Sequence, residues 1–188
     1  DYGKVFFGNK EATNFPIYLR TREFKIGYVP QYGGFFGDLT TYQNLKAVAE
    51  ILIKDTKDQN SRIEYLISKF ELDYLRNIKA SVLSGGQKKK LVIALSLLGD
   101  PKILLLDECF AALDVLTIQM LQKIIVNLQT EERIGIIICD HQARDLLACV
   151  DVAMILSNCK IIAQGTPKEL INNPIAQSAY FGKSFKIN

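Results

Sequence analysis

Apolar residues follow two rhythms along this chain. Over 41–70 and 115–129 they recur every three or four positions, whereas over 25–30, 102–106 and 134–139 they run together. The first rhythm marks one face of a helix and the second a strand in a covered sheet. Residues 3–7 read as a short strand and 25–30 as another, ended by Pro30-Gln31 ahead of a loop at Gly33-Gly34. Thr40 or Thr41 caps a helix with Leu45, Val48, Ala49 and Leu52 on its apolar side. A second helix, from about 59 to 70, carries Ile63, Leu66, Ile67 and Phe70 on one face, and 72–78 forms a helical turn.

After Ser84-Gly85-Gly86 a helix presents Leu91, Leu95 and Leu98 and stops at Gly99-Asp100-Pro101. Residues 102–106 predict a strand. Residues 115–129 predict a helix with Leu116, Met120, Ile124 and Leu128 at helical spacing, and 134–139 a strand buried on both faces. A helix over 141–149, strands over 152–156 and 160–163 about a turn at Ser157-Asn158, and a helical start over 167–171 complete the pattern. Strands alternating with helices predict an α/β fold with a mainly parallel sheet flanked by helices. The stretch 40–82 reads as a helical subdomain within one domain spanning 1–188.

Composition narrows the class. With 188 residues, 48% hydrophobic and 23% charged, the chain suits a globular domain with a real core. A net charge of +3 on scattered basic residues argues against nucleic acid, and Lys88-Lys89-Lys90 reads as a solvated helix face. No run of 18 apolar residues is available to span a membrane, and Asp1-Tyr2-Gly3-Lys4 does not resemble a secretory signal. Cys109, Cys139, Cys149 and Cys159 form no C-x-x-C pair and read as free thiols of a reducing compartment.

Candidate chemistry gathers at strand ends. Asp107-Glu108 closes the apolar run Ile103-Leu104-Leu105-Leu106, at the sheet edge where open α/β folds bind ligands. One carboxylate suits Mg²⁺ and the other can orient or deprotonate a water, although an Asp-Glu pair alone serves equally to cap a loop. Ser84-Gly85-Gly86-Gln87 can offer backbone N–H groups to a phosphate at a helix start, or act as an ordinary cap. His141 after Asp140, and Gln31 ahead of the glycine loop, are similarly ambiguous one at a time.

Taken in order, V-P-Q, L-S-G-G-Q, I-L-L-L-D-E, A-L-D and C-D-H resemble the ATP-binding subunit of ABC transporters. Their Q-loop, signature, Walker B, D-loop and switch histidine match Gln31, Leu83 to Gln87, Ile103 to Glu108, Ala112 to Asp114 and His141. The resemblance is greatest to the ATPases of lipopolysaccharide export. It is carried there by Ile26-Gly27-Tyr28-Val29-Pro30-Gln31, Tyr74-Leu75-Arg76, Gly165-Thr166-Pro167 with Glu169-Leu170, and Tyr180-Phe181-Gly182 with Ser184-Phe185. Branched-chain amino acid importer ATPases, or a non-catalytic remnant of the family, are the alternatives.

The resemblance implies a P-loop NTPase-like fold and a homodimer facing head to tail, with ATP and Mg²⁺ between the copies. Asp107 would hold Mg²⁺ with Gln31, Glu108 would be the general base, and His141 would hold the γ-phosphate and water. Ser84, Gly85, Gly86 and Gln87 would meet the nucleotide bound by the other copy, and Asp114 would link the two sites. Phe36 would meet the coupling helices of transmembrane permease subunits, whereas Phe35 is expected in the core. The location implied is cytoplasmic, peripheral on the inner face of the cell membrane. No G-x-x-x-x-G-K-[ST] occurs in the sequence. The N-terminal part of the fold, with its phosphate loop, is therefore expected to be missing. The chain alone is expected not to hold ATP, to be marginally stable, and to leave an open sheet edge beside 134–139. Cys109, Val115 and Leu95 stand where the family usually has Pro, Pro and Arg.

Overall fold

The computed structural model describes residues 2–181; Asp1, Gly182 and Ser184-Phe185 lie outside them. Asp1–Cys109 with Glu132–Cys139 form one compact unit, and Phe110–Glu131 with Asp140–Asn188 a second.

The first unit opens with a hairpin, Phe6–Phe7 (β1) against Lys10–Glu11 (β2), in place of the single strand expected over 3–7. Phe7 stacks on Phe24 with ring centroids 4.4 Å apart, and Lys10 Nζ lies over the Phe15 and Phe24 rings. Ile17–Glu23 (α1) buries no residue, and its Ile17 and Tyr18 are exposed. Without an apolar face it leaves no periodic trace in the sequence.

Three parallel strands position the chemistry. Ile26–Val29 (β3), Ile103–Asp107 (β4) and Gly135–Cys139 (β5) lie in the order β3-β4-β5. Their register pairs Val29 with Leu106, and Asp107 with Cys139. One face of the sheet buries Gly27, Val29, Leu104 and Leu106. A Cβ on Gly27 would stand 2.9 Å from both Leu104 Cδ1 and the Ser96 carbonyl oxygen, so glycine lets the helix of Ser96 pack close to β3. The expectation that 134–139 is buried on both faces is corrected. Gly135, Ile137 and Cys139 are exposed, Ile137 at 62%. Among the described residues β5 pairs with β4 alone, so its outer edge is open.

Thr41–Leu52 (α2) starts from a capping box between Thr40 and Gln43, and Thr56–Lys69 (α3) from the Asp55 side chain. Leu45, Ala49, Ile63, Leu66, Ile67 and Phe70 are buried as their spacing predicts, but Leu52 is exposed at the end of α2. Single turns follow at Asp73–Leu75 and Ala80–Val82. Gly85–Leu97 (α4) buries Leu91, Val92, Ile93, Ala94 and Leu95 in succession. It is a core helix rather than one with a single apolar face. Leu95, where the resemblance places an Arg, is part of that core. Lys90 is largely covered and pairs with Glu71 at 2.8 Å, so the lysine run is not the solvated face expected.

The second unit contains Val115–Thr130 (α5), Ala143–Leu147 (α6), the antiparallel hairpin Ala153–Ser157 (β6) and Lys160–Gly165 (β7), Pro167–Ile171 (α7) and Pro174–Ala176 (α8). Asn158 and Cys159 turn the hairpin with φ of 48° and 60°, the twist that a two-residue connection needs. Leu147, Ile155, Ala163, Leu170 and Ala176 form its core. Of the stripe expected on α5, Leu128 is buried, Met120 and Ile124 are half-buried, and the N-terminal end is out of phase. Ile118, Leu121, Ile125 and Leu128 are buried, whereas Leu116 is 77% exposed. A strict spacing of four drifts about 40° per step around a helix, and the alternation of three and four stays on one side. Val115 is exposed, and α5 starts from the Asp114 side chain without the proline.

The thiols divide by burial. Cys109 is buried, Cys139 and Cys159 are exposed, and burial pushes the Cys149 thiol up to about 11, with Asp145 and Asp140 adding to the shift. Brief alkylation of the native chain at pH 8, mapped by peptide mass, is expected to label Cys139 and Cys159 and to spare Cys109 and Cys149 until the chain unfolds. Labelling of Cys149 at the rate of Cys159 would contradict this packing.

Candidate functional site

Apolar β4 carries two carboxylates to the C-terminal edge of the parallel sheet. Asp107 still pairs with Cys139 in register. Glu108 leaves the sheet: its N–H donates to the Cys139 carbonyl at 2.7 Å and its φ is 42°. That left-handed backbone is uncommon for a side-chain-bearing residue and costs on the order of 1–3 kcal/mol, a strain found disproportionately at functional sites.

Because β3 is the neighbour of β4, the residues leaving β3 arrive beside these carboxylates. Gln31 Nε2 donates to Glu108 Oε2. The Tyr28 hydroxyl donates to Asp107 Oδ2 at 3.3 Å, and its pKa is raised by lost hydration first and by the Asp107 charge second. The loop beyond Gln31 is pressed onto α4. Gly34 has φ of 81°, and a Cβ there would stand 2.9 Å from Val92 Cγ1. Lys89 Nζ donates to the Gln31 carbonyl at 3.0 Å and to that of Pro30 at 3.4 Å.

Further along the loop, Phe35 is half-buried rather than core, and Phe36 is 58% exposed. Fully buried Asn44 of α2 holds this segment. Its Oδ1 accepts from Phe36 N–H at 2.7 Å, and its Nδ2 donates to the carbonyls of Phe36, Leu39 and Thr40. Ser84 is the N-cap of α4: its hydroxyl accepts from Gln87 N–H and the Gln87 amide oxygen accepts from Ser84 N–H. Gln87 thus serves the cap, and Gly85 leads the helix with its backbone exposed.

Two expected site residues lie in the second unit. Asp114 caps α5 by accepting from Thr117 N–H at 3.0 Å and from its hydroxyl at 2.6 Å. Those bonds hold its carboxyl below the usual range. His141 is largely exposed, and its Nδ1 stands 3.9 Å from Asp140 Oδ1. The Asp140 side chain is completely buried and accepts from the N–H groups of Phe110 and Gln142, while the Tyr180 hydroxyl donates to the His141 carbonyl at 3.0 Å. An open depression of 680 Å³ lies here, lined by His141, Arg144, Asp145, Tyr180 and Phe181 among others.

Residues 1–111 match the family described as ABC transporter. The chain is 36% identical over its whole length to 77% of the lipopolysaccharide export system ATP-binding protein LptB of Haemophilus influenzae. It is 33% identical, with the same coverage, to LptB of Escherichia coli strain K12. The chain belongs to the ABC transporter family. Among solved structures, cbiO1 from Clostridium perfringens, part of the ABC transporter complex cbiONQ, superposes with a TM-score of 0.82 at 28% identity. That match covers 94% of this chain and 71% of cbiO1. The ATP-binding cassette MJ1267 in its ADP conformation has a TM-score of 0.82 at 24% identity over 97% of this chain and 78% of its own, a likeness of fold.

As an ABC ATPase domain the chain brings Gln31, Asp107 and Glu108 together in its first unit. Ser84 and its glycines stand on a different element of that unit, and Asp114 and His141 on the second. The residue-by-residue reading left Tyr28, Asn44 and Lys89 without roles. A polar residue between Thr41 and Leu45 on the apolar side of α2 was the signal for Asn44. Nothing in the sequence singles out Lys89 from its neighbours.

Removing the Asn44 side chain strands the Phe36 N–H, while the Phe36, Leu39 and Thr40 carbonyls keep the backbone N–H groups of Leu39, Ala80 and Asn44. Asn44→Ala is expected to lower stability by about 1–3 kcal/mol in urea unfolding. The Asp114 cap contributes stability above the ordinary carboxylate range and loses it as pH falls through its depressed value. Asp114→Asn is therefore expected to flatten the acid side of the stability profile; an unchanged profile would show that the cap is not coupled to folding.

Proposed function

We propose that the protein is the ATP-hydrolysing subunit of an ABC transporter and that it powers lipopolysaccharide export. The observation that carries the hydrolytic role is the Gln31–Glu108 contact beside Asp107 at the parallel sheet edge. The LptB relatives carry the choice of cargo.

Asp107 and the Gln31 amide oxygen are hard donors, the kind Mg²⁺ takes in ones and twos while phosphate and water complete its shell. With its nitrogen turned to Glu108, Gln31 has its oxygen left for a cation. Mg²⁺, when bound, neutralises charge on the phosphoryl oxygens. Glu108 Oε2 accepts the proton of the attacking water as its oxygen bonds to the γ-phosphorus and the bond to the ADP oxygen breaks. Gln31 holds that carboxylate in place. His141, with Asp140 behind it, contacts the γ-phosphate, and Asp114 joins the two sites of the dimer. Ser84, Gly85 and Gly86 offer their N–H groups and the positive end of α4 to the nucleotide of a second copy, and Gln87 keeps that turn in shape.

Exposed Phe36, held by Asn44, and the helical subdomain 40–82 meet the coupling helices of membrane-embedded permease subunits. No helix among the described residues is long and apolar enough to cross a membrane. As the ATPase subunit of such a transporter, the protein works peripherally, on the cytoplasmic face.

The test is ATP hydrolysis by the protein expressed from its own gene, with Mg²⁺. Glu108→Gln is expected to lower kcat by about 10²–10⁴-fold with little change in ATP affinity. A variant that turns over at the parent rate would remove Glu108 from the chemistry.

A further inference from the structure

The run Lys88-Lys89-Lys90 reads as surface, yet Lys89 points inward and its ammonium donates to the backbone of the Gln31 loop. We propose that Lys89 is a positioning residue, setting Gln31 against Glu108 from the helix that begins with the Ser84 glycine turn.

Three observations in the first unit converge on this link. The Lys89 ammonium reaches two successive carbonyls, Pro30 and Gln31, on the residues that leave β3. Bonds from a charged donor to backbone are stronger than neutral ones and resist solvent when partly buried. Gly34 lies against Val92, so the loop touches α4 at a second point where any Cβ would clash. The side chain of Gln31 reaches Glu108. Lys89 therefore fixes the backbone from which that side chain projects. Lys89 stands five residues after Ser84 on one rigid helix. A shift of the glycine turn, as when it engages a ligand, is thus passed to the Gln31 loop by the Lys89 side chain, with the Val92–Gly34 contact beside it. Arg at this position keeps a donor for the carbonyls, and Met keeps the stem without one.

The inference rests on the hydrolytic role given to Glu108 above, and its test separates the two. The side-chain amide of Gln31 is followed by ¹⁵N NMR in nucleotide-free protein, its signal pair assigned by its loss in Gln31→Leu. Lys89→Met is expected to move that pair toward the position of water-exposed glutamines while the backbone signals of α4 and β4 stay in place. Lys89→Arg is expected to restore it. A Gln31 pair unmoved in a folded Lys89→Met would overturn the proposal. Should Lys89→Met lose signal dispersion, Lys89→Gln, which stays polar but is too short to reach both carbonyls, is read in the same way. In the hydrolysis assay kcat of Lys89→Met is expected to fall about tenfold with KM for ATP unchanged. An unchanged kcat also overturns the proposal. A parent protein without ATPase activity would sink the role of Glu108 and leave Lys89 to be decided by the amide signals alone.

Discussion

The meeting of Gln31 with the Asp107-Glu108 carboxylates depends on β3 and β4 lying side by side and running the same way. Parallel pairing delivers both C-termini to one edge, so Pro30-Gln31 and Asp107-Glu108, more than seventy residues apart in the chain, arrive together. Antiparallel pairing would have placed them at opposite ends of the strands. The contact from Gln31 to Glu108, and that from Tyr28 to Asp107, follow from this register. Gly27 permits it by letting α4 approach β3 without a side chain between them.

Within each unit the fold fixes small pieces of backbone with buried or half-buried polar side chains. Asn44 holds the segment from Phe36 to Thr40, Lys89 holds Pro30 and Gln31, and Asp140 holds Phe110 and Gln142. Each does for a loop what a ladder does for a strand: it satisfies backbone groups that water would otherwise serve. Loops held in this way fix the local backbone of their own exposed residues, Phe36 in the first unit and His141 in the second. A binding partner then meets a preformed surface and need not order it.

Much of this was legible in the sequence. Strands 26–29 and 103–107 and helices α2 and α4 stand close to where spacing and caps place them, because each has a local signal: an apolar run, a Thr or Ser cap, a Gly-Asp-Pro stop; α3 starts three residues before the expected 59, from the Asp55 cap. The ordered motifs were legible as a family resemblance, and the family assignment agrees with that resemblance. What was not legible depends on neighbours. Ile137 is as apolar as any core residue, yet the register puts it on the sheet face opposite Val29, Leu104 and Leu106, where it is exposed. Leu116 and Ile118 are interchangeable by composition, and which faces inward is set by packing. Lys89 looks like Lys88 until the Gln31 loop folds against it.

The central claim is that the tip of β4, with Gln31, holds the cation that accompanies the nucleotide. Mn²⁺ in place of Mg²⁺, added with ATP to the ¹⁵N-labelled protein expressed from its own gene, tests it most directly, because the ion broadens the signals of nearby residues. The account requires that Gln31, Asp107 and Glu108 fade first. Sharp signals at these residues, with broadening centred on another part of the chain, would contradict it.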